Sequence, residues 1–366
     1  MISALKPKVI GIDSFFDCKE GKTDSLSCPL AYDTLSNLIL ANAITEAGNV
    51  VLVTKLLQSS GLIRKYGDSD LYDSLERTDS LVRGDAIEGY ASLNTGASHQ
   101  EDLKMCRSFN PRMVLQNGDT LNAFSVQVAM LYDSTKAMKF LERGKSLEVI
   151  NYRGNVPDIY QASAPEFANR YTYLEWYQPF DTTSFLHEII TDRIVLLGFM
   201  GENLDDTSWD DKFITPLNKN FAGKTRPDMY GVVVHANIIS MILGDDYIDE
   251  LAKWQEYAIA ILICYFNIIL FYYINQKIPI WFDGLSVLLQ LVQIVVFTFI
   301  MIYALKWFNF KLNLTVTLLA IALVGTCFEV YFNLVKVLIG RFQRRFTKAA
   351  SEVLTTQNSE ISNLNP

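Results

Sequence analysis

The amino-acid sequence predicts an α/β domain with a central sheet, mostly parallel or mixed, followed by an α-helical membrane anchor of three spans. Two observations support this prediction. Charged residues are scattered over the first two thirds of the chain, whereas long apolar runs with almost no charge follow Trp254. Near the amino terminus, patterns of strand, helix and strand follow one another with short joints, as in a βαβ unit. We therefore assign residues 1–250 to a soluble domain and residues 255–340 to the anchor.

Three apolar runs make up the anchor. They cover residues 257–274, 285–305 and 312–328. A helix needs about 20 apolar residues to cross the hydrocarbon core of a bilayer. None of the runs has the polar face, at helical period, of a soluble amphipathic helix. We predict three spans in contact with membrane lipids, at about residues 256–275, 284–305 and 312–335.

Basic residues predict the orientation of the anchor, because Lys and Arg are enriched on the cytoplasmic side. The tail at 341–366 carries Arg341, Arg344, Arg345 and Lys348, more than either loop between the spans. We therefore expect a basic cytoplasmic tail and a soluble domain on the other side. The start of the chain has no signal-peptide pattern, so we expect a transmembrane segment upstream of it. The alternative is an inverted protein with the domain inside.

Composition and motifs argue against several classes of function. The net charge of −8 gives no electrostatic support for binding nucleic acid. The five cysteines form no CxxC pair, and neither HExxH nor G-x-S-x-G occurs, so we predict no metal, no cofactor and no catalytic residue. Cys18 and Cys28 flank a polar loop. Pairing in an oxidising compartment and two free thiols both stay open.

Apolar periodicity predicts the elements of the soluble domain. Residues 8–16 are predicted to form a buried strand, and 31–46 a helix that Gly48 ends. Residues 50–54 are predicted to form the second strand, and 58–85 are polar and irregular. The later elements are a strand at 86–93, one helix over 120–143, a half-buried strand at 146–154, a short helix at 185–190, a strand at 193–201 and a helix at 230–243 capped by Gly244. The run at 193–201 is continuously apolar, which is typical of a central strand covered on both faces.

The first candidate binding site lies after the strand at 193–198 and at the start of the helix at 230–243. Ligands of open α/β sheets bind at the carboxyl ends of strands. The candidate residues are Gly198, Gly201, Asp205, Asp211, His235 and Asn237. The glycines would let a ligand approach the backbone, and the polar side chains could contact it or bind a cation. In the alternative, residues 235–237 tie the helix to the sheet.

Further candidates lie outside this site. Arg153 could clamp a carboxylate or phosphate, or form a surface ion pair. In the second span, Gln290 and Gln293 share a face with Ser286, and they could couple to a neighbouring helix or pack within the bundle. Glu329 in the third span is either a buried functional carboxylate or a residue near the cytoplasmic headgroups.

The tail continues the helical period of the third span. Its apolar residues are Leu334, Leu338, Phe342, Phe346, Ala349 and Val353. Such a helix would pair with a second protomer, as in a homodimer, contact a cytoplasmic effector, or rest on anionic lipid.

The order of several motifs resembles the second class of CHASE domains. INYRG at 150–154, RIVLLGFMG at 193–201, Asp211, TPL at 215–217 and GVVVHANIISMIL at 231–243 are followed directly by three apolar runs. KVIGID at 8–13 and GNVVLV at 48–53 are similar to the family's first strands. The resemblance covers most of residues 1–340. Family members usually have a transmembrane helix and a further strand before this point, and a catalytic effector after the third helix. We find neither pattern in this sequence.

The resemblance implies an α/β sensor domain outside a bacterial inner membrane, without an output of its own. Residues 1–250 would bind an unknown small ligand or an envelope protein and signal to a separate cytoplasmic effector. A structural or scaffolding membrane protein without a ligand is the alternative. A third hypothesis is an ectoenzyme, which would depend on Asp211 or His235.

Overall fold

A computed structural model describes most of the chain and divides it into two compact units, Met1–Ile248 and Asp249–Pro366. The residues described are 2–16, 33–66, 71–95, 104–157, 165–167, 170–180, 186–202, 208–220 and 225–362. The first unit is an α/β domain and the second consists mainly of three long apolar helices. The predicted fold class is therefore confirmed.

The elements of the first unit alternate between strands and helices in its amino-terminal third. The helices are α1 Thr34–Ala47, α2 Ser60–Tyr66, α3 Ser80–Arg83, α4 Phe124–Tyr132, α5 Ser134–Glu142, α6 Leu186–Ile190 and α7 Gly231–Gly244. The strands are β1 Val9–Asp13, β2 Val50–Leu57, β3 Ser74–Glu76, β4 Ile87–Tyr90, β5 Ser108–Phe109, β6 Arg112–Val114, β7 Thr120–Asn122, β8 Glu148–Val149, β9 Ile194–Gly198, β10 Lys212–Phe213 and β11 Met229–Tyr230.

The central sheet is mixed, and its four main strands are parallel. Strand β1 pairs with β2 on one side and with β9 on the other. The far side of β2 pairs with β4 in parallel and, further along, with β3 in antiparallel fashion. Because β1, β2, β4 and β9 run in one direction, their carboxyl ends meet at the same edge of the sheet.

Helices cover both faces of this sheet. Successive side chains of a strand point to opposite faces, and the apolar side chains on each face pack against a helix. Val9, Val51 and Val53 face a core that includes Phe124 and Val128 of α4 and Ile239 of α7. The alternate residues Ile10, Ile12, Val50 and Leu52 face Ile44 of α1. The predicted strand–helix–strand unit at the amino terminus is confirmed, and Gly48 ends α1 with a φ of 64°.

The predicted helix over 120–143 is wrong in its continuity. The chain forms strand β7 and then two helices, which separate at Asp133. Asp133 has extended backbone angles, and its carboxylate accepts a hydrogen bond from the Lys136 backbone N–H at 3.1 Å. This side chain therefore caps a new helix, which apolar periodicity alone does not reveal. The polar segment 58–85 likewise contains α2, β3 and α3.

Strand β9 lies at an edge of the sheet as far as the structure describes it, so its predicted central position is wrong. It pairs with β1 and its residues are only partly buried. Its continuous apolar run has another cause, because Leu196 contacts the core on one face and Leu197 the core on the other. The end of α7 also differs in detail, since Asp245 rather than Gly244 takes the left-handed cap position.

The second unit contains helices α8 Lys253–Lys277, α9 Phe282–Phe308 and α10 Thr315–Ser362, with a 3-10 turn at Pro279–Trp281. Each has an apolar stretch long enough to cross a membrane, at Lys253–Lys277, Pro279–Phe308 and Thr315–Arg341. Two short strands, β12 Asp249–Glu250 and β13 Phe310–Lys311, pair in parallel. The chain before α8 is thereby joined to the turn between α9 and α10.

Gly11 allows strand β1 to pack closely under helix α4. A Cβ atom at this position would lie 2.7 Å from Leu196 Cδ2 and 2.9 Å from Phe124 Cζ, which is inside van der Waals contact. We expect Gly11→Ala to lower the free energy of unfolding by about 1–3 kcal/mol through overpacking. Thermal unfolding of the full chain in detergent measures this change.

Gly61→Ala is the matched control for this substitution. Gly61 lies in α2, and the nearest atom to an added Cβ is Ser59 Oγ at 3.8 Å. This substitution should leave stability unchanged or raise it slightly, because alanine favours the helix. Equal effects of the two substitutions would contradict the close packing at Gly11.

Candidate functional site

A cleft of about 320 Å³ lies at the carboxyl ends of the parallel strands. Strand β1 contributes Asp13, and β2 contributes Thr54. The segment after β4 contributes Ala91, Ser92, Leu93 and Thr95. The other described lining residues are Phe15, Lys55, Lys104, Asp211, Phe213, Gly231 and His235. This is the edge at which open α/β sheets bind ligands.

Asp13 is the last residue of β1, and burial is the main influence on the pKa of its carboxyl group. Its side chain is 16% exposed, and none of the described residues donates a hydrogen bond to its carboxylate. His235 Nε2 lies 4.0 Å from Asp13 Oδ2, which is beyond hydrogen-bond distance. Burial raises the pKa of Asp13 to about 6. Within the described part of the chain, this carboxylate therefore has no compensation for the loss of water.

Asp211 is the second acidic residue of the cleft. Burial and the nearby charge of Asp13 raise its pKa to about 7, while Lys104 and the Gly231 backbone oppose the shift. Asp211 has a φ of 51°, a left-handed conformation that Asp tolerates. Its carbonyl accepts a hydrogen bond from Gly231 N–H at 2.9 Å. A Cβ at position 231 would lie 2.8 Å from Asp211 Oδ2, so Gly231 is needed for this approach.

His235 lies behind the two carboxylates as a neutral ring. Burial lowers its pKa to about 4, and its Nδ1 lies 2.7 Å from the Ser125 hydroxyl. Phe124 packs edge-on against the ring. The order Ser125, His235, Asp13 has the residue types of a hydrolase triad, but Ser125 is fully buried at the start of α4. The geometry therefore makes His235 a support for the cleft rather than an activated base beside an exposed nucleophile.

Thr54 and Lys104 are two further polar residues of the cleft. Thr54 is 2% exposed, and its hydroxyl has no hydrogen-bond partner among the described residues. Lys104 lies near Asp211, and its Nζ is 5.7 Å from the centre of the Phe213 ring. Asp13, Lys104 and Thr54 were not among the sequence candidates. Asp13 could have been found, because a polar residue that ends an apolar parallel strand lies at the ligand edge by topology.

The structure brings some of the sequence candidates together. Asp211 and His235 line the cleft. Gly198 ends β9 beside it, where an added Cβ would lie 2.7 Å from Val232 and 3.3 Å from Asp13 Cβ. Gly198 thus lets α7 approach the sheet. Asp205 lies outside the described residues, as do Cys18 and Cys28.

Three candidates lie outside the lining of the cleft. Asn237 is fully buried, and its amide binds the backbone of Arg153, Gly154 and Val233 at 2.8–3.2 Å. This network ties α7 to the segment around Gly154. The side chain of Arg153 is exposed, and Gly201 takes a positive φ of 83° after β9. Their roles in binding stay predictions, and they do not form part of the cleft described here.

The polar residues of the second apolar helix face the interior of their own bundle. Gln293 Nε2 donates to Asn267 Oδ1 of α8 at 2.8 Å, and Gln290 Nε2 donates to the Ile321 carbonyl of α10 at 2.8 Å. Gly325 leaves the room for Gln290, because a Cβ there would lie 2.8 Å from Nε2. These side chains connect α9 to both of its neighbours. A role in coupling remains a prediction.

Glu329 lies near one end of the bundle. The ring of its neighbour Phe328 packs 5.7 Å from that of Phe282, the first residue of α9. Glu329 is therefore level with the turn at Pro279–Trp281, and its side chain points away from the bundle core. This position accords with the headgroup interpretation rather than with a buried carboxylate.

The fold and the apolar helices define the class of protein as a multi-pass membrane protein with a soluble α/β domain. The model of the CHASE2 domain family matches residues 1–270, and the chain belongs to that family. CHASE2 domains are extracytoplasmic sensor domains, so the resemblance seen in the sequence is confirmed. Comparison with curated proteins and with solved structures gives no match.

The raised pKa of Asp211 predicts a change of stability with pH. Its value of about 7 in the folded chain exceeds the ordinary 3.8, so the folded state binds more protons than the unfolded state between these values. The contribution of this group to stability therefore falls as the pH rises from about 4 to 7. Asp211→Asn removes the effect. Relative to the wild type, the variant should gain about 2 kcal/mol over this range and stay constant above it.

Thermal unfolding of the full chain at a series of pH values checks this expectation. Asp85→Asn is the control, because Asp85 is exposed and outside the cleft. The gain expected of Asp211→Asn should be absent from this variant. Its absence from Asp211→Asn as well would contradict a raised pKa for Asp211.

Proposed function

We propose that this protein is a membrane-anchored receptor whose extracytoplasmic α/β domain binds a small ligand and signals to a separate cytoplasmic effector. The observation that carries the proposal is the cleft, in which Asp13 and Thr54 have polar groups without protein partners among the described residues. A bound ligand would supply these partners. The membership in a sensor family supports the same role.

The connection from the domain to the helices supports signalling. Asp249 N–H donates to the Asn309 carbonyl at 2.9 Å, and Lys311 forms an ion pair with Glu250. The strand pair β12–β13 thus joins the segment before α8 to the turn between α9 and α10. A displacement of the chain at Asp249 would act on all three helices rather than on α8 alone.

The route to an effector is helix α10. It starts at the turn held by β13 and continues without a break to Ser362, well past its apolar stretch, which ends at Arg341. The basic residues that follow favour the cytoplasm for this tail. A ligand would change the state of the tail only by binding two conformations of the protein with different affinity.

Topology is the first expected outcome to check. In a variant without its five native cysteines, Val114→Cys and Ser359→Cys are introduced singly. Val114 is 64% exposed, and Ser359 lies in the tail. A membrane-impermeant thiol reagent should label position 114 in spheroplasts, and position 359 only after lysis, because three spans place the two on opposite sides. The reverse pattern would refute extracytoplasmic sensing.

The juxtamembrane strand pair gives a second expected outcome. Glu250 and Lys311 are direct partners in β12 and β13, so cysteines at both positions should form a disulfide on mild oxidation in the membrane. Glu250→Cys with Ile280→Cys is the control, since Ile280 lies in the turn at the far end of α8. Absence of the first cross-link, or equal formation of both, would contradict the connection.

A scaffolding protein without a ligand would share this topology and these cross-links. It would have no need for a cleft whose polar atoms lack partners among the described residues. A rise of the unfolding midpoint with any of the small compounds tested below would argue against a scaffold, because a scaffold would respond to none of them.

A further inference from the structure

The charges around the cleft do not balance. The described acidic lining residues are Asp13 and Asp211, and Lys104 is the cation near Asp211. Lys55 also lines the cleft, but its Nζ lies 3.8 Å from Glu76 Oε2. Lys55 is therefore engaged outside the acidic pair.

His235 does not supply the missing positive charge. Its ring is buried and neutral, because burial lowers its pKa to about 4. Asp13 consequently has no cationic partner among the described residues. A buried carboxylate in this situation favours a ligand that brings a positive charge and hydrogen-bond donors.

The hydroxyl of Thr54 is a second, independent feature of the same site. It lies in β2 next to β1, is 2% exposed, lines the cleft, and lacks a hydrogen-bond partner within the described part of the chain. Buried hydroxyl groups in proteins are nearly always hydrogen-bonded. A donor in the cleft would satisfy Thr54 and the acidic pair together.

Part of the wall is apolar and suits carbon atoms. Phe15, Leu93 and Phe213 line the cleft, and its volume of about 320 Å³ is that of a site for a small organic molecule. We propose that the cleft binds a small organic ammonium compound, whose N–H groups donate to Asp13, Asp211 and the Thr54 hydroxyl while its carbon skeleton packs on the aromatic wall. This assignment rests on the proposed receptor function and names the chemistry of its ligand.

A divalent metal ion fits the site less well than an ammonium group. In the described ranges, no group of three or more His, Cys, Asp or Glu side chains is placed to hold a metal ion. Ca²⁺ takes six to eight oxygen ligands, and Mg²⁺ requires octahedral coordination. The Lys104 ammonium beside Asp211 also repels a dication, whereas one further positive charge, together with Lys104, balances the two carboxylates.

Three organic compounds of similar size and one calcium salt separate the effect of charge from that of hydrophobic contact and from that of metal binding. The full chain in lipid nanodiscs at pH 8 is titrated with n-butylammonium, n-butanol, butyrate and CaCl₂, and the thermal unfolding midpoint is measured. Butylammonium should raise the midpoint through selective binding to the folded state. Butanol and butyrate should have no effect at the same concentrations, because they lack the positive charge.

Substitutions of Asp13 and Lys104 should change the affinity for butylammonium in opposite directions. Asp13→Asn should weaken butylammonium binding by about tenfold, because a charge-assisted hydrogen bond is lost. Lys104→Met should strengthen binding, because a competing ammonium is removed. Thr54→Val should weaken it by a few-fold, and Asp85→Asn should leave it unchanged. Binding should also weaken below about pH 6, where Asp13 takes up a proton, in line with its pKa.

Several results would overturn the ammonium assignment. They are a response to CaCl₂ without one to butylammonium, an equal response to butanol, no response to any compound, or butylammonium binding that Asp13→Asn does not alter. These failures are distinct from a failure of the receptor proposal, which thiol labelling tests without any ligand. If the thiol reagent labels position 114 from outside but butylammonium has no effect, the receptor proposal stands and the ammonium class of ligand is rejected.

Discussion

The burial of strand β1 between two parallel neighbours is the constraint on which the cleft depends. Val9 to Ile12 are buried, and apolar clusters cover both faces of the strand. Its backbone is therefore fixed by two paired strands and by packing above and below. The strand ends with Asp13, which is held at the edge where β2, β4 and β9 also end. A carboxylate carried to this position by an apolar strand has little freedom to turn back towards water. The stability of the sheet thus maintains an unfavourable charge.

Helix α7 determines what lies opposite that charge. Gly198 allows it to pack closely at the end of β9, and Gly231 leaves room for the Asp211 carboxylate. His235 then lies between Asp13 and Ser125. Because the ring is neutral, it fills space without neutralising the carboxylate. Asn237, two residues further along the helix, fixes α7 to the segment around Gly154 through hydrogen bonds to the backbone. The helix is therefore tied to that segment through Asn237 and presents His235 to the cleft.

Local patterns in the sequence predicted much of the fold. The first strand–helix–strand unit and helix α7 follow from apolar periodicity and Gly48. The three apolar helices follow from the length of their apolar runs. The break at Asp133 did not follow, because a single cap residue outweighs a continuous apolar pattern. The edge position of β9 did not follow either. A continuous apolar run indicates that both faces of a strand are covered, but it does not indicate how many strands pair with it.

The candidate site was predicted only in part for a similar reason. Asp211 and His235 were found because they follow a recognisable strand and begin a recognisable helix. Asp13, Thr54 and Lys104 come from segments far apart in the chain, and their proximity depends on strand order. Strand order results from pairing between distant segments, which local periodicity does not record. That the Thr54 hydroxyl has no hydrogen-bond partner among the described residues is a tertiary property of the same kind.

Because α10 is continuous, the rotation of the tail about the helix axis is fixed relative to the apolar stretch before it. The 48 residues of α10 span about 72 Å at 1.5 Å per residue, more than twice the roughly 30 Å of a hydrocarbon core. In such a rod, a twist applied at Thr315 turns the far end by the same angle. One added residue would rotate the tail by about 100° while lengthening it by only 1.5 Å, whereas seven would nearly restore the original face. A molecule that binds the tail would therefore be affected by rotation of α10 about its axis more than by a change in its length.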